Sequence, residues 1–213
     1  MAKLQSSFMN MALSLTCIAL VAAGALAGVY MLTMAPIEAA MKAKQEAAIM
    51  QVLPEVEGLQ VADAETVEGV TLYKAYVGEE WVGTAVEATT EGNVNMPFGG
   101  TFRLMVGFDN VGNVVNYVVL EQAETPGLGA LMTTWFKNAE KPGQNILGKT
   151  PATTEFSVSK DGGDIDAITA STITSRAFLE VVVKAYNAIA QQPMLIEATS
   201  GATQLTTEEG GLQ

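Results

Sequence analysis

A run of residues without a single charge, over positions 4–37, constrains this chain of 213 residues more than any other feature. About 20 apolar residues suffice to cross the hydrocarbon core of a bilayer, so residues 9–34 are long enough to span it. Residues 1–35 are therefore predicted to be an N-terminal transmembrane anchor. The alternative is a cleaved signal peptide, because Lys3 gives a basic start and Ala25-Leu26-Ala27 has the form of a cleavage site. The anchor is favoured, since the apolar run continues past that site.

The residue types that are present narrow the chemistry of the rest of the chain. There is no histidine, and the single cysteine, Cys17, falls inside the predicted anchor. Haem, iron–sulfur and ordinary zinc sites depend on these ligands, so no metal site is expected in the remainder. Any redox chemistry must therefore come from an organic cofactor. The formal net charge of −12 also makes nucleic acid a poor partner, because both surfaces would be negative.

Alternating apolar and polar residues predict antiparallel β-hairpins after the anchor. The first hairpin turns near Gly78-Glu79-Glu80, the second has a glycine-containing loop at 109–113, and the third turns at Asp161-Gly162-Gly163. The predicted strands lie within residues 72–89, 101–108, 114–121, 156–159 and 165–169.

Helical spacing of apolar residues predicts three helices beyond the anchor. They cover residues 37–53 before Pro54, residues 131–138, and a last segment that starts near Thr172 and ends before Pro193. The fold class is α+β, with one N-terminal transmembrane helix followed by a single domain of antiparallel strands and helices. The predicted organisation is an anchor over 1–35, a linking helix over 36–54, a domain over 55–195 and a flexible tail over 196–213.

Five hydroxyl side chains cluster at the predicted start of the last helix, at Thr169, Ser171, Thr172, Thr174 and Ser175. The first N–H groups of a helix lack intrahelical partners, and the macrodipole places partial positive charge there, which suits a phosphate. The segment is therefore an anion site, an ordinary Ser/Thr helix cap, or a buried β-branched strand that turns into the helix.

Two turn-forming segments flank the second hairpin. Residues 96–100 read Met-Pro-Phe-Gly-Gly, and residues 124–129 read Glu-Thr-Pro-Gly-Leu-Gly. Glycine lets backbone approach a ligand closely and Pro126 fixes its own φ, so the second segment is suited to a rigid pocket wall. Two ordinary loops are the alternative.

These segments carry a resemblance to a known family. Residues 166–172, with Asp166, Thr169 and Thr172 in place, resemble the D-x-x-[ST]-G-A-T motif at which flavin mononucleotide (FMN) is joined through its phosphate to threonine. Residues 124–129 are similar to the E-T-P-G-L-G loop in the G subunit of the Rnf electron-transport complex. The resemblance extends over the whole chain, and it implies an FMN-binding domain with FMN held as a phosphoester by Thr172.

The sequence differs from the family motif at one dipeptide, and it contains a second copy of the last four motif residues near its C-terminal end. The Gly-Ala step of the family is Ala170-Ser171 here, which adds a methyl and a hydroxyl beside the acceptor. Further on, Ser200-Gly201-Ala202-Thr203 is a literal S-G-A-T, preceded by Glu197 in place of aspartate. Thr172 is the preferred acceptor, because no apolar helix follows Thr203 to supply N–H groups.

The resemblance also implies which residues surround the flavin. Residues near the phosphate are Thr169, Ala170, Ser171, Thr174 and Ser175. Residues near the ring are Phe98, Gly99, Glu124, Thr125, Gly127 and Leu128. Trp135 is either a further stacking neighbour of the ring or part of the core.

The implied function is one-electron relay within a complex that couples ferredoxin and NAD chemistry to ion movement. No catalytic residue is assigned, because the chain has no evident substrate site. The implied partners are the other membrane subunits and a flavin transferase. The implied location is the cell inner membrane, with one pass and a periplasmic domain. The positive charges alone do not decide the orientation, because Lys3 lies on one side of the anchor and Lys42 and Lys44 lie on the other.

Two alternatives stay open. One is the C subunit of the sodium-pumping NADH:quinone reductase, which shares the threonyl-FMN linkage but is usually longer between anchor and motif. The other is a flavin-free binding module tethered to the membrane, in which residues 169–175 merely cap a helix.

Overall fold

One long helix occupies the N-terminal part of the structure. The computed structural model describes residues 8–192, and helix α1 runs without interruption over Phe8–Val52, through Pro36. Its most apolar 18-residue stretch has a mean hydropathy of 2.2, so α1 is long and apolar enough to cross a membrane. The predicted anchor and linking helix are one continuous element. The predicted tail, with Thr203, lies outside the described residues.

The chain divides into two compact units, and the boundary falls within α1. The first unit ends at Lys44 and the second begins at Gln45. Ala48, Ile49 and Val52, on the last two turns of α1, are buried and lie on one stripe of the helix. Residues 45–53 are therefore part of the folded domain.

The domain is built on one antiparallel sheet of six strands, in the order β1-β3-β4-β5-β6 with β2 also paired to β3. In chain order the strands are β1 Leu59–Val61, β2 Glu65–Val67, β3 Val70–Val77, β4 Glu80–Thr89, β5 Arg103–Asp109 and β6 Val114–Glu121. The two long predicted hairpins, β3–β4 and β5–β6, are confirmed. The two three-residue strands were not predicted, because they are too short to display an alternating pattern.

The last helix of the described chain packs on one face of the sheet. Two helices follow β6, namely the four-residue α2, Met132–Trp135, and the long α3, Thr172–Ala190. Leu72, Val86, Val106 and Tyr117 lie opposite one another across β3 to β6. All four belong to the main buried cluster together with Phe178 of α3, whose ring contacts Tyr117 edge-on at a centroid distance of 4.9 Å. Helix α3, whose start the sequence places at Thr172, is therefore packed on the sheet through its buried side chains.

The opposite face of the sheet receives the end of α1. Ala75, Ala85 and Met105 form a second buried cluster with Ile49 and other residues of that helix end. Gly107 permits the close approach, because a Cβ atom there would overlap the carbonyl oxygen of Val52. The sheet is thus covered by helix on both faces, as expected for an α+β domain.

The segment between β6 and α3 differs from the sequence prediction in two places. The predicted helix over 131–138 is a 3₁₀ turn, Gly129–Leu131, followed by the short helix α2. The predicted third hairpin is wrong, since residues 158 and 165 form a single parallel bridge around the 3₁₀ turn Ser159–Asp161. Gly163 lies against Ser157, where a Cβ would overlap the carbonyl oxygen, so this close approach requires a residue without a side chain.

Candidate functional site

The first turn of α3 has backbone N–H donors without a partner among residues 8–192. Thr172 is its first residue, and Ser171, at the N-cap position, makes no side-chain capping hydrogen bond. No acidic side chain lies in the first turn. The N–H groups of residues 172–174 therefore point out of the helix without the usual cap, at the end that carries partial positive charge.

Two of the five hydroxyls at this helix start are committed to the protein interior. The Thr174 hydroxyl is fully buried and donates to Glu124 Oε2 at 2.9 Å. The Ser175 hydroxyl, also fully buried, donates to the Ser171 carbonyl at 3.0 Å and accepts from the Ile168 N–H at 2.9 Å. The family resemblance implies positions near the phosphate for both hydroxyls, and the structure places them beneath the helix start.

Thr172 itself is half-buried, and its neighbour Thr169 is exposed. Within residues 8–192, neither hydroxyl takes part in a hydrogen bond. Thr172 differs from Thr169 in lying on the helix, directly beside the uncapped N–H groups. Ser171, at the N-cap, lies beside the same N–H groups but is only 8% exposed, so the half-buried Thr172 hydroxyl is the more accessible acceptor.

The departure from the family motif falls at a special backbone position. Ala170 has φ of +60°, in the left-handed region that glycine adopts most easily. The Ser171 N–H donates to the Ile168 carbonyl at 3.0 Å, which closes a tight turn with Ala170 in its third position. A turn of this kind favours glycine there, which explains the residue type in the family motif.

Asp166 fixes the loop that leads to α3. Its carbonyl accepts the indole N–H of Trp135 at 2.9 Å, and its own N–H donates to the Gly143 carbonyl at 2.6 Å. Its carboxylate accepts the Ser159 hydroxyl at 3.1 Å. Trp135 also packs against the main core, so it holds the loop as well as filling space.

Glu124 connects three segments of the site. Its side chain is buried, with 6% of the residue exposed. Oε1 accepts the Gly99 N–H at 2.6 Å, and Oε2 accepts the Thr174 hydroxyl. A Cβ at Gly129 would overlap Oε2, so the carboxylate also packs directly on that glycine. The family resemblance implies a place for Glu124 near the ring. No pattern in the sequence indicates that its carboxylate accepts hydrogen bonds from Gly99 and Thr174.

Large apolar side chains are exposed on the segments that Glu124 joins. Phe98, which precedes Gly99, is 85% exposed. Leu128, which precedes Gly129, is 39% exposed, and Ile173, which precedes Thr174, is 36% exposed. The loop of Leu128 is a compact turn, since the carbonyl of residue 125 accepts the N–H of residue 128 at 3.1 Å. An aromatic ring system placed there would remove apolar surface from water.

Two cavities lie farther along α3, and neither is lined by Thr172. One, of about 350 Å³, contains Glu91 and Lys184. The other, of about 380 Å³, has Arg176 and Asp161 on its wall. That pair is bidentate, with 2.6 and 2.7 Å contacts, and the Asp161 carboxylate raises the pKa of Arg176. Both cavities are separate from the uncapped helix start.

The donors and surfaces present fit FMN. A free hydroxyl adjoins uncapped N–H groups, which suits a phosphoester. The exposed apolar side chains on the neighbouring segments suit a flavin ring. Residues 98–187 match the family described as FMN-binding domain. The chain therefore contains an FMN-binding domain behind a helix long enough to cross a membrane.

Residues 1–52 match the RnfG N-terminal region. Three similar proteins, each named as the G subunit of an ion-translocating oxidoreductase complex, show how far the likeness extends. That of Methanosarcina acetivorans is 32% identical over 82% of this chain and 90% of its own length. That of Escherichia coli is 33% identical over 76% and 81%. That of Yersinia pestis is 36% identical over 54%, and the match spans about half of its length, 53%. The chain belongs to the family of G subunits of ion-translocating oxidoreductase complexes.

Proposed function

We propose that this chain is the membrane-anchored electron-carrier subunit of an Rnf-type ion-translocating ferredoxin:NAD⁺ oxidoreductase complex, with FMN attached to Thr172 by a phosphoester. The observation that carries the proposal is the free Thr172 hydroxyl beside the uncapped first turn of α3, in a chain of this family. When bound, FMN supplies one-electron redox chemistry, for which the residues of this chain offer no substitute.

The residues at the helix start have distinct tasks in this proposal. Thr172 contributes its hydroxyl oxygen to the ester and gives up the hydroxyl hydrogen. The N–H groups of the first turn bind the single negative charge that a phosphodiester retains. The helix itself contributes no acidic side chain to that turn, and the nearby Glu124 carboxylate is engaged by the Gly99 N–H and the Thr174 hydroxyl. Attachment also holds the cofactor at high effective concentration, so the site stays loaded.

The chain acts as a relay whose partners are the other membrane subunits of the complex. A flavin transferase is needed as well, because a threonine hydroxyl does not form a phosphoester unless the donor carries a good leaving group. The α1 helix anchors the chain in the inner membrane in a single pass, and the domain faces the periplasm. This orientation is supported by the family resemblance and not by charge counts.

Attachment is tested by producing the full chain together with a flavin transferase. Denatured protein should fluoresce on a gel, and its intact mass should increase by one FMN less one water. Thr172→Val should abolish both signals, because it removes the hydroxyl and little else. Thr153→Val is the matched control, since it removes an exposed hydroxyl from a residue that has no expected place near the flavin. It should leave the signals unchanged.

Thr203→Val decides between the two copies of the motif. Loss of flavin in that variant, with retention in Thr172→Val, would overturn the choice of acceptor. A wild-type chain without flavin in transferase-containing cells would support the flavin-free tether. Orientation is read separately, from protease protection of the domain in sealed inner-membrane vesicles.

A further inference from the structure

We propose that Glu124 is a positioning residue, whose buried carboxylate holds the Phe98-Gly99 segment against the first turn of α3 before FMN is attached. This inference rests on the function proposed above, because it concerns how the acceptor site is assembled. Glu124 acts through its neighbours and not by contact with the flavin.

The two carboxylate oxygens bind groups that are far apart in the sequence. Oε1 accepts the N–H of Gly99, 25 residues earlier, at 2.6 Å. Oε2 accepts the hydroxyl of Thr174, 50 residues later, at 2.9 Å. One side chain therefore sets the distance between the Phe98 loop and the helix that carries Thr172.

Gly129 packs against the Glu124 carboxylate, and Gly99 packs against the backbone just before Glu124. A Cβ at Gly129 would overlap Oε2, and a Cβ at Gly99 would overlap the carbonyl group of Ala123. The backbone N–H of Glu124 is itself fixed, since it donates to the Gln122 side chain at 2.6 Å. The residue is therefore held in place through both its backbone and its side chain.

Charge pairing does not account for the carboxylate. Glu124 belongs to no ion pair within residues 8–192, where the paired cations include Lys74, Arg103 and Arg176. A buried carboxylate without a cation carries a desolvation cost that an apolar side chain of similar size would avoid. What an apolar side chain cannot supply is two acceptor oxygens in a fixed geometry, one for each segment.

The link to the acceptor is short. Thr174 lies two residues after Thr172, so a hydrogen bond that fixes Thr174 also fixes the rotation of the first turn. The direction of the Thr172 hydroxyl depends on that rotation. Misplacement of a reacting group by about 1 Å can slow a reaction about 100-fold. Loss of the Glu124 contacts is therefore expected to slow attachment while Thr172 itself is intact.

The test is a time course of FMN attachment to purified full-length chain, with a flavin transferase and its flavin donor, followed by intact mass. Glu124→Ala should attach FMN about 10- to 100-fold more slowly than wild type. Glu124→Gln should restore most of the rate, because its oxygen can accept from Gly99 while its amide donates to the rotated Thr174 hydroxyl. Rescue by glutamine separates geometry from charge.

Glu87→Gln and Glu87→Ala are the matched controls. The Glu87 side chain is 11% exposed and its carboxylate is likewise hydrogen-bonded, to Gln45 and Arg103, but it lies on β4 and makes no hydrogen bond to α3 within residues 8–192. Both controls should attach FMN at the wild-type rate even where their thermal stability falls. Should Glu124→Ala fail to fold, Thr174→Val and its rescue by Thr174→Ser test the same hydrogen bond.

A readout without flavin keeps the two proposals apart. Hydrogen exchange at the Gly99 N–H should be at least about tenfold faster in Glu124→Ala than in wild type, Glu124→Gln or the Glu87 variants, because a protecting bond is lost. Wild-type attachment rates in Glu124→Ala, or equal losses in the alanine and glutamine variants, would overturn the role of Glu124. Absence of flavin from wild type, with the exchange pattern as expected, would overturn only the proposed function.

Discussion

Replacing Ala170 by glycine should stabilise the domain, although glycine usually destabilises a folded chain. Ala170 has φ of +60°, and an L-residue in the left-handed region costs about 1 to 2 kcal/mol. Glycine removes that cost but makes the unfolded chain more flexible, which offsets about 0.4 to 1 kcal/mol. The midpoints of these two ranges give a net gain of about 0.8 kcal/mol. For a domain of this size that corresponds to an increase in Tm of about 1 to 4 °C.

The matched control is Ala167→Gly, the same chemical change three residues earlier in the same loop. Ala167 is not among the residues with positive φ, and it packs against the core. Glycine there should therefore lower the free energy of unfolding by about 0.5 to 1 kcal/mol. The assay is denaturant and thermal unfolding of a fragment that starts at Gln45. Destabilisation of equal size in both variants would refute the assignment of strain to Ala170.

Two further predictions concern the core and a buried amine. Leu53→Ala should lower the free energy of unfolding by about 2 to 5 kcal/mol, because Leu53 is 2% exposed and its loss leaves a cavity. Met50→Ala is the control and should change the free energy of unfolding by less than about 0.5 kcal/mol, since Met50 is exposed. Denaturant unfolding measures both. Burial lowers the pKa of Lys137 in the folded chain below its ordinary 10.5. Between the folded-state and unfolded-state pKa values the unfolded chain binds more protons, so the free energy of unfolding should rise with pH in that range. The measurement is the urea midpoint of unfolding, taken from neutral pH up to the ordinary lysine pKa. Lys137→Met should remove the part of its increase with pH that comes from Lys137.

Local patterns were sufficient to predict the elements that bury one face. The β3–β4 and β5–β6 hairpins follow from alternating residues over seven to ten positions. Helix α3 follows from a stripe of apolar residues along a segment of 19 residues. In both cases the same residues that form the element also bury its face, so the pattern carries the information.

Contacts between distant loops could not be predicted in this way. Nothing near Glu124 in the sequence indicates that its partners are Gly99 and Thr174, because both contacts depend on how the loops pack over the sheet. The prediction of the third hairpin failed for a related reason. Its predicted strands are only four and five residues long, and in the structure residues 158 and 165 form a single parallel bridge instead of a hairpin ladder.

The proposed choice of Thr172 over the two buried hydroxyls, those of Thr174 and Ser175, has an energetic basis as well as a motif. Esterifying Thr174 or Ser175 would break buried hydrogen bonds and leave Glu124 Oε2 or the Ile168 N–H unpaired, each at a cost of about 1 to 3 kcal/mol. It would also require space for a phosphate where both side chains are fully buried. Esterifying Thr172 breaks no such bond. The two buried hydroxyls thus fix the helix start, whereas the Thr172 hydroxyl, two residues before Thr174, is free to form the proposed ester.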